Sequence, residues 1–98
     1  MVRWTRSAQI AHGKAPQAMK WAKEMAEFAN KKYKTQITVY MDFFGEAGTI
    51  RWFNDYADLA AFEKVRSQIL MDQEYLQRLN QAAELFLSSG FDAVMHTI

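Results

Sequence analysis

Thr35-Gln36-Ile37-Thr38-Val39-Tyr40-Met41-Asp42-Phe43-Phe44, then Gly45-Glu46-Ala47-Gly48, then Thr49-Ile50-Arg51-Trp52-Phe53-Asn54, is the stretch that decides the fold. In its first part Ile37, Val39, Met41 and Phe43 alternate with Gln36, Thr38, Tyr40, Asp42 and Phe44. This is strand periodicity carried by β-branched and aromatic residues. The two glycines supply a turn and extended character resumes at Thr49. The two segments are therefore expected to pair as an antiparallel hairpin with a loop of about three to five residues.

Upstream of the hairpin, Lys20–Glu24, Lys23–Glu27 and Glu27–Lys31 are i, i+4 charge pairs, while Ala18, Ala22, Met25, Ala26, Ala29 and Tyr33 recur at three- and four-residue spacings. That pattern predicts an amphipathic helix opening near Pro16, where a missing N–H is harmless. Before it, Val2, Trp4, Arg6, Ala8 and Ile10 share one face of a loosely alternating strand from Val2 to Ala11, broken by His12-Gly13. Downstream, Asp55 is a candidate cap for a helix from about Tyr56 to Leu70, with Leu59, Phe62, Arg66 and Ile69 as its stripe. Asp72 is a second cap, opening a helix to about Ser89 with Tyr75, Leu76, Leu79, Ala83 and Phe86 as its buried edge. Gly90 reads as its stop, and Phe91 to Ile98 returns to extended character.

The resulting order, β-α-β-β-α-α-β, fits an α+β fold of ferredoxin-like topology: a four-stranded antiparallel sheet with helices on one face. The chain has 98 residues, half of them hydrophobic, no cysteine, one proline and four glycines, so residues 1–98 are read as one α+β domain. Helices in so short a chain cover one sheet face only. Tyr40, Phe44 and Phe53 then need shelter on the other, and a homodimer with its sheets face to face would supply it. Twelve Lys and Arg against eleven Asp and Glu give a net charge of +1, which removes the bulk electrostatic case for nucleic acid. The run Lys31-Lys32-Tyr33-Lys34 reads as a solvated helix end, favoured by the helix dipole. Ala82 to Leu87 is far shorter than a membrane span, and Met1 to Ser7 holds no signal-peptide core. A cytoplasmic protein without membrane partner is expected, and the lack of cysteine suits a reducing compartment.

Several of these segments together resemble the dimeric α+β barrel superfamily, in particular its NIPSNAP-type and antibiotic-biosynthesis-monooxygenase-type branches. The carriers are Arg6 in the first strand, Gly13-Lys14 before the first helix and the Gly45 to Gly48 hairpin. To these add Ile50-Arg51-Trp52-Phe53-Asn54-Asp55-Tyr56 leading into a helix and Leu70-Met71-Asp72-Gln73-Glu74-Tyr75 where that helix breaks. The resemblance implies a homodimer and a pocket for a small hydrophobic or aromatic ligand. The activities it admits include cofactor-independent monooxygenases and haem degraders, and a fold alone selects none of them.

The candidate site residues follow from strand faces. Tyr40 and Asp42, two apart on the hairpin strand, point the same way and could orient a phenolic substrate and take its proton; the plainer reading makes them barrel filling and rim. Arg6, on an apolar face, could hold a carboxylate or enolate, or bridge to Asp42 or Asp55 as an ion pair, the reading favoured on cost. Trp52 and Asn54 share a face and complete the ligand-binding set, with core packing the plainer role for Trp52. Met19, Trp21 and Met25, at helical spacing, read as core. His12 and His96 stand far apart, no zinc signature is present, and no expected helix carries a histidine for haem. No metal and no cofactor are expected. The leading function is a small homodimeric binder of a hydrophobic or aromatic ligand, with a cofactor-independent monooxygenase-like enzyme as its enzymatic form. The alternative is a non-enzymatic structural or interaction protein whose sheet face serves only dimerisation.

Overall fold

A computed structural model of the chain describes residues 1–42, 44–45, 48–87 and 90–98. The elements run β1 (Val2–Gln9), α1 (Ala15–Tyr33), β2 (Thr38–Met41), β3 (Thr49–Tyr56), α2 (Leu59–Leu70), α3 (Gln73–Gln81) and β4 (Phe91–His96). The strands form one sheet in the order β2-β3-β1-β4 with every neighbouring pair antiparallel. This is the ferredoxin-like α+β arrangement. The hairpin partners are Val39↔Trp52 and Met41↔Ile50, and the Asp42 N–H donates to the Thr49 carbonyl at 2.9 Å. Phe43, which the alternation places with Val39 and Met41, lies outside the described residues.

One face of the sheet packs on the helices. Along β1, Val2 and Ala8 are buried, and on β3 the buried residues include Ile50, Trp52 and Asn54. Against them α1 presents Ala18, Ala22, Met25, Ala26 and Ala29. The alanines let the helix approach the sheet so closely that the Trp52 indole N–H lies 3.4 Å from the Ala22 carbonyl oxygen. Small helix residues against large strand residues leave the aromatic rings to define the interior. Past Tyr33, Lys34 ends α1 in the left-handed region at φ 57°. The Asn30 side chain then braces the turn into β2, accepting from the Ile37 N–H at 2.7 Å and donating to the Ile37 carbonyl at 3.1 Å.

Several boundaries differ from those expected: β1 ends at Gln9 and β2 is confined to Thr38–Met41, both shorter than the alternation suggested. Asp55 is not a helix cap: β3 continues to Tyr56, and Asp55 sits opposite Arg3 and binds its guanidinium at 2.7 and 3.0 Å. The cap of α2 is Asp58, whose carboxylate accepts from the Ala61 N–H at 2.8 Å. Asp72 does cap α3, accepting from the N–H groups of Glu74 and Tyr75, but α3 closes at Gln81 instead of near Ser89. Turns follow, and Phe86 forms an isolated antiparallel bridge with Ile10. That backbone pairing draws the chain out of the helix and back to the sheet. Gly90 consequently stops no helix. Its role is close approach: at φ 87°, a side chain there would put a Cβ 2.9 Å from the Ser7 carbonyl oxygen. Finally, Leu59 and Arg66 of the expected α2 stripe are exposed, and Phe62 is that helix's buried residue.

The opposite sheet face carries Arg3, Thr5 and Ser7 of β1, Arg51, Phe53 and Asp55 of β3, and Thr38 and Tyr40 of β2 by alternation and register. Helices leave it uncovered. Tyr40 is 59% exposed, its ring edge-on to Phe53 at 5.4 Å between centroids, and Phe44 is 87% exposed.

Candidate functional site

Between the helix-side sheet face and α1 and α3 lies a cavity of about 440 Å³. Close-packed interiors hold few voids larger than a water molecule, so an opening of this size beneath a sheet departs from ordinary core packing. All three tryptophans of the chain, Trp4, Trp21 and Trp52, line it, with Arg6, Tyr75 and Phe86. Trp21, Trp52 and Phe86 form a three-sided aromatic cluster with centroid separations of 6.2, 5.7 and 6.1 Å, all edge-to-face. Their polar edges are anchored: the Trp21 indole N–H donates to the Arg78 carbonyl at 3.1 Å, fastening α3 to α1. The faces of the rings remain the wall.

Arg6 is the charged side chain of this lining, and it pairs neither with Asp42 nor with Asp55. Its register partner across the β1–β4 pair is Asp92, and Arg6 Nη1 lies 2.7 Å from Asp92 Oδ1. The physical reason is strand parity. Asp42 and Asp55 face the opposite side of the sheet, where Arg51 binds Asp42 at 2.8 and 2.9 Å and Arg3 binds Asp55. Tyr75, brought in by α3, has its phenol pKa pushed up by burial, against the opposing pull of the Arg6 guanidinium. A neutral phenol and an ion-paired guanidinium are thus the polar groups at one end of an otherwise aromatic and aliphatic space.

The structure brings Arg6 and Trp52 together in this cavity. Asn54 is on the same sheet face but outside the lining: it is buried, and its side-chain oxygen accepts from the Gln36 N–H at 3.1 Å, tying β3 to the α1–β2 link. Tyr40 and Asp42 share a face, as alternation requires, but it is the face away from the cavity. A second, more open groove runs along edge strand β2 beside α1, with Met19, Lys23, Tyr40 and Met41 at its walls. It lacks the aromatic enclosure. Tyr75, Trp21 and Asp92 carry no local motif, and strand or helix spacing alone could not relate them to Arg6. Asp92 had one signal, an acid on an expected strand with parity matching Arg6 once β1 and β4 are neighbours. Among the described residues no three His, Cys, Asp or Glu side chains group to hold a metal ion, and no helix is long and apolar enough to cross a membrane. His12 and His96 are exposed at opposite ends of the chain.

Fold and cavity define a class, the ferredoxin-like α+β proteins with a pocket between sheet and helices. Within that class the chain belongs to the NIPSNAP family, whose model matches residues 5–95. Similar solved structures include an uncharacterized NIPSNAP domain protein from Burkholderia xenovorans, 14% identical with TM-score 0.83, the match covering 100% of this chain and 95% of that one. A NIPSNAP family protein with unknown function from Agrobacterium tumefaciens is 16% identical with TM-score 0.80, over 97% and 86% of the two chains. An antibiotic biosynthesis monooxygenase superposes with TM-score 0.74 at 11% identity, over 100% and 99%. At these identities the likeness is one of fold. No curated protein matches the sequence.

Proposed function

We propose that the chain binds one small hydrophobic or aromatic molecule in the space between the sheet and α1 and α3, and that it works as a homodimer joined through the uncovered sheet face. The cavity of about 440 Å³, walled by all three tryptophans with Arg6 at one end, carries the reading. Ligand sites are concave, mostly apolar and furnished with a few convergent polar groups. A protein whose sheet served only assembly would have filled that space with side chains, and the alanine face of α1 does the reverse. In this reading Arg6 and Trp52 are ligand-binding residues, Asn54 stands behind them as support, and Tyr40 and Asp42 belong to the dimer contact.

The enzymatic form of the proposal is a cofactor-independent monooxygenase-like activity, supported by the fold likeness to an antibiotic biosynthesis monooxygenase. Arg6 is the group that would stabilise negative charge developing on a substrate oxygen, and Tyr75 would donate a hydrogen bond to it. Binding is the step to test first. In a ¹⁵N-labelled sample each tryptophan gives one indole N–H resonance, so cavity occupancy is read at three places. Titration with 2-naphthol, a neutral aromatic probe, is expected to shift these resonances saturably at one equivalent per chain, and Ala83→Phe, which fills the cavity from its exposed side, is expected to abolish the shifts. Indole resonances that stay still at millimolar probe would remove the ligand reading.

A further inference from the structure

We propose that Asp92 is the charge filter of this cavity, neutralising Arg6 so that the site admits uncharged aromatic molecules and turns away carboxylates. The inference rests on the ligand reading above and sharpens it to a substrate class. Arg6 alone would make the aromatic pocket a trap for anions, because a guanidinium at the edge of an apolar space gains more from a carboxylate there than in water. It is not alone. Asp92 Oδ1 holds Arg6 Nη1 at 2.7 Å, while Asp92 Oδ2 lies 3.5 Å from the Trp4 indole nitrogen. The two side chains are 35% and 50% exposed, which places the pair where the cavity meets solvent.

A carboxylate reaching Arg6 would also face the Asp92 carboxylate already held at 2.7 Å from that guanidinium, with aromatic walls around it that offer no solvation. A hydroxyl or carbonyl group brings no charge to repel and loses far less hydration. Tyr75 adds no charge of either sign, since burial favours its neutral form. Gly90 leaves the guanidinium room beside the pair: a Cβ there would stand 3.2 Å from Arg6 Nη2, tight enough to ask the guanidinium to give by a few tenths of an ångström.

The test compares 2-naphthol with 2-naphthoate, alike in shape but neutral and anionic respectively at pH 7, by calorimetry and by the tryptophan indole resonances. The wild type is expected to bind 2-naphthol about tenfold or more tighter than 2-naphthoate. Any apolar pocket shows some such preference, so the decisive quantity is the ratio in Asp92→Asn. That variant should shrink or invert the ratio by about tenfold, chiefly by tightening 2-naphthoate, and the gained binding should weaken with salt. Asp92→Glu should keep the wild-type ratio, and Asp92→Ser serves in place of Asn if the amide variant does not fold. A purely structural Asp92 would change both affinities alike; an unchanged ratio in Asp92→Asn, or a wild type that binds 2-naphthoate as tightly as 2-naphthol, overturns the filter while leaving the pocket intact. If neither probe moves the indole resonances, the ligand reading fails and takes the filter with it.

Discussion

At the level of single residues, Gly90 shows how a position with no side chain shapes a site. Its φ of 87° is one that L side chains rarely adopt, and its missing Cβ leaves room for the Ser7 carbonyl and the Arg6 guanidinium. Gly13 also has positive φ, at 76°, but nothing stands within 4 Å of a Cβ built there. Both glycine-to-alanine changes carry the backbone cost of about 1 kcal/mol. Gly90→Ala adds a steric clash with backbone and should lower stability by about 1–3 kcal/mol in urea denaturation. Equal losses in the two variants would show that the close approach is inert. Residue types alone could not reveal this contact, since Gly90 reads equally as a helix stop. Arg6 was legible as an ion-pair or ligand residue because a charge on an apolar strand face demands a partner. Its actual partner was not, because that depends on which strand lies beside β1.

Elements show the same division. Asp72 as a cap could be read from its place between two helical patterns, and its wider role comes from packing. The carboxylate caps α3, lies 2.7 Å from the Lys32 ammonium and accepts from the Tyr33 hydroxyl, so it latches α3 to the end of α1. Lys32 first, and then Tyr33, hold its pKa at about 2, below the ordinary 3.8. A carboxylate lowered on folding contributes stability that is present above its unfolded pKa and lost as pH falls through its folded one. The melting temperature should therefore fall between about pH 4 and pH 2, and Asp72→Asn should flatten that part of the profile while lowering the melting temperature at pH 7. An unaltered acid limb in Asp72→Asn would show that other carboxylates carry it. Since α3 supplies Tyr75 and Leu79 to the cavity wall, the same variant should broaden the tryptophan indole resonances.

For the whole molecule, the uncovered sheet face is the unfinished surface. Phe53 sits near its middle, with Tyr40 edge-on and the Arg3 guanidinium 5.6 Å from its ring centroid. A stable dimer through this face should bury roughly 1,000 Å² or more, and light scattering at micromolar concentration should return about twice the 11.4 kDa chain mass. Phe53→Glu puts an unpaired carboxylate into that contact and should yield monomers that keep their tryptophan environment, since Phe53 and the cavity lie on opposite sheet faces. A wild type at 11.4 kDa under these conditions would remove the dimer.

Periodicity in this chain determined which segments are strands and helices, which side chains share a face, and hence the ferredoxin-like order, because alternation and the 3.6-residue repeat are properties of neighbouring residues. Val39 with Met41, Trp52 with Asn54, and Ala18 through Ala29 all followed from it. Tertiary structure alone decided that Asp92 meets Arg6, that Asp55 serves Arg3 instead of a helix, and that α3 ends at Gln81 so Phe86 can bridge to Ile10. It also decided that Tyr40 and Asp42 face away from the cavity while Tyr75 joins it. Each of these joins residues distant along the chain, and their encounter is set by strand order and by the hand of the packing, which no local spacing encodes.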